Sequence, residues 1–134
     1  MSKKQLDFGT CGPPGDQVRW KGILEDDTLG SGDTTRFSVE LTRPTGQPAI
    51  SNMAPPGGLS VIVLKLPPGP PVTIDMPGPW LGIDLRNELL AGETKSVDFH
   101  ITNSPAGPTP AVYSLLCVIV WGANICVSPL FPVP

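Results

Sequence analysis

The chain places 18 prolines and 15 glycines among 134 residues, and they fall almost wholly between short apolar stretches. Proline has no amide hydrogen and a fixed φ, so it cannot continue a helix or sit inside a central strand. Every regular element must therefore be short. Proline and glycine together make about a quarter of the chain, close to low-complexity composition. Yet 40% of the residues are hydrophobic, more than a disordered chain would carry. The prolines therefore punctuate a packed, all-β domain.

The stretches between them carry the period of a strand. Gln17 to Leu24 sets Val18 and Trp20 on one face and Arg19 and Lys21 on the other. Arg36 to Thr42 points Phe37, Val39 and Leu41 inward and Arg36, Ser38, Glu40 and Thr42 outward, the period of two of a half-buried strand. Val72 to Met76 and Ser96 to Thr102 alternate in the same way, the latter with Val97, Phe99 and Ile101 inward. Ala111 to Trp121 is the longest strand candidate, followed by a hairpin turn at Gly122 to Asn124 and a last strand from Ile125 to Phe131. Leu59 to Leu66 is apolar on both parities and reads as a central strand covered on both faces. The stretch 80–90 reads as a short helical turn or an irregular crossover. Residues 1–15 are polar and then turn-like, an N-terminal arm or leading loop, with one β-sandwich domain over 16–134.

Charge and composition exclude several function classes. Net charge is −3, and no basic cluster exceeds Lys3-Lys4, so nucleic acid is not an expected partner. The longest apolar run, Leu59 to Leu66, is far short of the roughly 20 residues of a membrane-spanning helix, so no membrane partner is expected. Lys3 and Lys4 are followed by Gln5, Asp7 and Gly9 and not by an apolar signal-peptide region, so synthesis in the cytoplasm is expected. Three cysteines, an odd count, argue against a disulfide framework. Cys117 and Cys126 flank the last hairpin. A three-residue turn leaves them out of register and a tight Trp121-Gly122 turn aligns them, so their pairing stays open.

No catalytic, cofactor or metal site emerges. His100 is the only histidine and falls on an outward parity, with no serine or cysteine locally paired to it. Asp75 and Asp84 form a carboxylate pair that nothing brings together across a cleft. Glu25, Asp26, Asp27 and Asp33 surround Gly30-Ser31-Gly32, a loop calcium could use, but the spacing is not that of an EF-hand. Trp80, in a Pro-Gly-Pro-Trp loop, is the candidate platform for a stacked sugar, whereas Trp20 reads as core.

Leu90-Ala91-Gly92-Glu93-Thr94, an alternating strand, a Gly/Pro loop, a Tyr-initiated strand and a hairpin back make up residues 89–130. This segment resembles the last three strands of immunoglobulin-like bacterial adhesion and carrier modules. The resemblance covers about a third of the chain and implies an immunoglobulin-like antiparallel β-sandwich with long Pro/Gly-rich loops. It also implies that Tyr113 is a corner tyrosine whose hydroxyl closes onto nearby backbone. The chain has no Cys…Trp…Cys core pattern, and the resemblance brings no site residues.

The strand 111–121 is apolar on both parities, whereas a two-layer sandwich buries only one face per strand. The surplus must meet a loop, the arm or another subunit. Leu115, Cys117, Ile119 and Trp121, with Leu130 and Phe131 of the tail, are the candidate interface. The expected function is a non-enzymatic structural or interaction protein in an assembly, itself homo-oligomeric. Its most concrete form is a decoration or cement protein on the surface of a phage-like capsid. A carbohydrate-binding or accessory module of a larger surface system is the alternative.

Overall fold

A computed structural model describes residues 3–51, 59–75, 88–121 and 124–133. These residues are all-β, with no helix among them. The strands are β1 (Lys4–Cys11), β2 (Val18–Leu24), β3 (Thr34–Thr42), β4 (Ile50–Ser51), β5 (Leu59–Leu66), β6 (Val72–Asp75), β7 (Glu88–Leu89), β8 (Thr94–Asn103), β9 (Tyr113–Trp121), β10 (Asn124–Val127) and β11 (Phe131–Val133). A first antiparallel sheet runs β1-β2-β3-β8-β6. In the second, β9 pairs with β5 on one side and with β10 and then β11 on the other. β4 and β7 form a separate two-residue ladder.

β10 and β11 are one interrupted lane. Asn124 to Val127 pair with Trp121 to Val118, and Phe131 to Val133 pair with Leu115 to Tyr113, so the register moves by one residue between them. Pro129 cannot donate to the ladder, and the strand bulges there. Ser128 fills the gap. Its amide donates to the Cys117 carbonyl at 2.8 Å, and its hydroxyl accepts from the Cys117 amide at 2.9 Å.

The period-two pattern drives the two sheets together in a β-sandwich-like architecture. Trp20, Leu24, Phe37, Val39, Leu41, Val97, Phe99 and Ile101 point inward from the first sheet, and Val61, Val63, Leu115, Ile119, Phe131 and Val133 from the second; all are buried. Each fully buried side chain of this kind is worth about 1.5–3 kcal/mol of transfer free energy. The rings of Phe37 and Phe131 meet edge to face across the layers, centroids 5.3 Å apart. Gly22 makes room in β2: a Cβ there would lie 2.8 Å from the ring tips of both Phe37 and Phe8.

Three expectations are corrected. The arm expected over 1–15 contains β1, fully paired with β2. Its register shifts between Asp7 and Gly9, and Gly9 adopts φ +84°, so no single period runs through the strand and its pattern is hidden. The strand 59–66 is not central: β5 pairs only with β9 among the described residues, and Ile62, Leu64 and Leu66 are exposed. Cysteine pairing also differs. Cys11 bonds to Cys126, with Cα atoms 5.9 Å apart, and Cys117 is free. Cys126 stands opposite Ile119, not Cys117. From its edge lane it faces the end of β1, the edge of the other sheet.

That disulfide ties one side of the sandwich. Lys4 adds to it, donating to the Pro132 carbonyl and lying 5.3 Å over the Phe131 ring. On the other side the connection 67–71 joins β5 to β6, and the Lys65 ammonium donates to the carbonyls of Pro67 at 2.8 Å and of Gly69.

Candidate interaction surface

The two outward sheet faces differ in chemistry. On the first sheet, directly opposed polar side chains pair across strands: Thr34 with Thr102 at 2.9 Å, Ser38 donating to Asp98 at 2.6 Å, and Thr42 with Thr94 at 2.7 Å. Lys21 lies 3.6 Å from Glu40, and Arg36 lies 3.4 Å from Glu25. Such cross-strand pairs each contribute about 0.2–1 kcal/mol and keep a face wet.

The outward face of the second sheet is aliphatic. Residues directly opposite one another share a face, so the register builds its rows. Ser60, Val120 and Ile125 form one row; Ile62, Val118 and Val127 the next; Leu64 and Leu116 a third; Leu66, Ser114 and Pro132 the last. Ile62, Leu64, Leu66, Ile125 and Val127 are 38% to 68% exposed. Lys65 is the only charged residue in β5, β9, β10 and β11, and it lies on the opposite parity, opposite buried Leu115. Three lanes about 4.8 Å apart and eight residues rising about 3.4 Å each give a footprint of about 400 Å². Patches of that size on single domains are often functional. A shallow groove lined by Leu66, Pro67, Val112 and Pro132, with Lys4 and Ser114 also on its wall, extends the face at one end.

Comparison of the chain with family models, curated proteins and solved structures finds no match.

The interface residues expected from sequence divide. Leu115, Cys117, Ile119 and Phe131 are fully buried in the chain's own core and cannot line a contact surface, whereas Leu130 is exposed. Trp80 and the side chain of Trp121 lie outside the described residues. The apolar surplus of β9 sits on the other parity, Leu116, Val118 and Val120. A signal for this was present: Tyr113 and Phe131, the aromatic residues, share the parity of Leu115 and Ile119, and large rings mark the buried face.

Burial pushes the Cys117 thiol up to about 12, with the Ser128 hydrogen bond pulling the other way. It is an inert, protonated core residue. Tyr113 is buried at the start of β9, and among the described residues its hydroxyl finds no hydrogen-bond partner, so the expected closure onto backbone is not seen there. Burial, then the nearby charges of Asp26 and Asp27, push its phenol up to about 12.

The acidic loop turns mostly onto itself. Asp26 Oδ1 accepts from the amide and hydroxyl of Thr28, at 2.9 and 2.8 Å. Glu25 reaches Arg36, and the Asp33 carboxylate folds over Gly30. Among the described residues no three His, Cys, Asp or Glu side chains gather as metal ligands would. His100 is exposed on the polar face, opposite Arg36 and Asp75, and Asp84 lies outside the described residues.

Proposed function

We propose that this chain is a non-enzymatic assembly protein that docks onto a protein partner through the aliphatic face of β5, β9 and β10. The exposed face carries the reading: eight aliphatic side chains in register, without a charge, on a domain whose other face is mostly polar, with Ile23 among its charged and hydroxyl side chains. The strand order supports an immunoglobulin-like form. β2-β3-β8-β6 corresponds to strands A-B-E-D, and β5-β9-β10/β11 to C-F-G, with β1 as an added edge strand. The most concrete form of the reading is a decoration or cement protein on a phage-like capsid, a link that rests on analogy of fold. The Cys11–Cys126 disulfide supports a working place outside the reducing cytosol, because such bonds persist on virion and cell surfaces.

The test is site-specific photo-crosslinking in the source material. A photoreactive residue at Ile125 should trap a protein, and one at Ser96, on the polar face, should not. An unreacted chain at both positions, in particles and in extract, ends this reading.

A further inference from the structure

We infer that the aliphatic face binds a second copy of this chain, giving a reversible dimer in which two sandwiches stack back to back, β9 of one against β9 of the other. The inference rests on the contact reading above and names the partner. Apart from Ser60 and Ser114 at its ends, the face offers a partner no polar group. A matching surface must therefore be flat, aliphatic and uncharged, and the face itself has those properties. Its four rows are centred between Val118 and Leu116, in the middle lane, so a two-fold axis passing there lays each row onto a row of the same face.

Charge placement favours the same arrangement. Each chain carries −3, which opposes self-association when the charges lie near the contact. Here the charged side chains Arg19, Lys21, Arg36, Glu40 and Asp98 lie on the far sheet, and the strands that carry the contact hold none but Lys65, on the opposite parity. Four stacked sheets about 10 Å apart put those two faces roughly 30 Å from each other, well beyond the Debye length of about 8 Å.

Area sets the strength. Two footprints of about 400 Å² give about 800 Å² before corrugation, and the groove at Val112 and Pro132 adds to that. That total lies below the roughly 1,200 Å² at which standard specific interfaces begin, in the range of weak, transient contacts, and is far from the size of an obligate dimer. The association should depend on concentration.

Sedimentation velocity of the oxidised full-length chain, from low micromolar to near-millimolar, tests this. A monomer–dimer equilibrium is expected. Val118→Lys should weaken it about a hundred-fold, because a lysine at the centre buries an unpaired charge. Ile125→Lys, at a position 68% exposed, should weaken it at least about tenfold without bearing on folding. Ser96→Lys, on the polar face, should leave it unchanged. Circular dichroism of each variant checks that it folds. A chain that stays monomeric throughout, or a dimer that survives both face variants, overturns the inference. A monomer whose position 125 still crosslinks to a different protein overturns self-association alone and leaves the contact reading standing; a monomer without crosslinks removes both.

Discussion

Replacing Arg43 should remove a large share of this domain's stability. The residue follows β3, and its side chain is 1% exposed, the largest fully buried side chain among the described residues. Nε donates to the Pro48 carbonyl at 2.7 Å, Nη1 to the Gln17 carbonyl at 2.8 Å, and Nη2 to Asp16 Oδ1 at 2.7 Å. One guanidinium thus pins the turn before β2 to the turn after β3. Its own amide and carbonyl bond Glu93 and Gly92 of a third turn. Arg43→Met keeps the length of the stem and deletes the charge and the three donors. Two part-buried carbonyls are then left without a partner, at about 1–3 kcal/mol each. Water reaches the rim of the loops, so the lower half of that range applies, about 3 kcal/mol in total. Asp16 is half exposed, and water screens it. Asp16→Asn keeps an acceptor in place and should lower stability by less than about 1 kcal/mol.

Urea unfolding with the disulfide intact reads both variants. With a slope of about 1.5–2 kcal/mol per molar, Arg43→Met should lower the midpoint by roughly 1.5–2 M at unchanged slope. A shift below about 0.5 M would refute the reasoning, since the carbonyls would then be satisfied without the guanidinium. Equal losses in the two variants would also refute it, because the ion pair and not the carbonyl bonds would then be the main term.

Reduction of Cys11–Cys126 opens a loop with a sequence separation of 115 and should lower stability by about 2–5 kcal/mol, read as a drop in urea midpoint. Iodoacetamide should then label the partly exposed Cys126 in the reduced, folded protein, and the buried Cys11 and Cys117 only after unfolding; early labelling of Cys117 counts against its burial. Gly22→Ala should cost about 1–3 kcal/mol through contact with Phe37 and Phe8, and a neutral result by thermal melting would show that the rings can move aside. Tyr113 is the only tyrosine, so phenolate absorbance reports it alone. Its folded value lies above the ordinary 10, so its contribution is complete below pH 10 and is lost as pH rises toward 12. The absorbance change should therefore coincide with alkaline unfolding, and a midpoint near 10 in the folded protein would contradict its burial.

The strands that were legible in sequence are those whose period survives from end to end. Arg36 to Thr42 and Ser96 to Thr102 alternate without interruption, and they form the β3–β8 ladder at the middle of the first sheet. β1 escaped for a local reason, because its period is lost at the Gly9 bulge, and the last strand reads as one run, 125–131, where it splits at Pro129 into β10 and β11. The Cys11–Cys126 bond could not be read at all, because it joins an unrecognised strand to a lane whose register, Asn124 opposite Trp121, the turn sequence leaves open. Surplus apolar surface in 59–66 and 111–121 was legible, but the face it occupies was not. Choosing between the parities of β9 needs the position of the facing sheet, and among the sequence cues only the aromatic residues hinted at it.

The undefended surface of this domain is a face and not an edge, and this decides between two modes of association. Among the described residues β5 pairs only with β9, which leaves its other edge for another strand to extend. That edge ends at Lys65 and Pro67, and the Lys65 ammonium is held over the 67–69 turn. A lysine and a proline are the residues that natural edges use against strand addition. β1, the edge strand of the first sheet, is tied back to β10 by the disulfide, and β6 is only four residues long. No comparable device guards Ile62, Leu64, Val118 or Val127. Threonine at those positions would keep the β-propensity and make the face as wet as that of the first sheet, where threonine pairs already stand. The aliphatic residues are therefore not needed for strand formation, and the face-to-face association proposed above would account for them where strand addition would not.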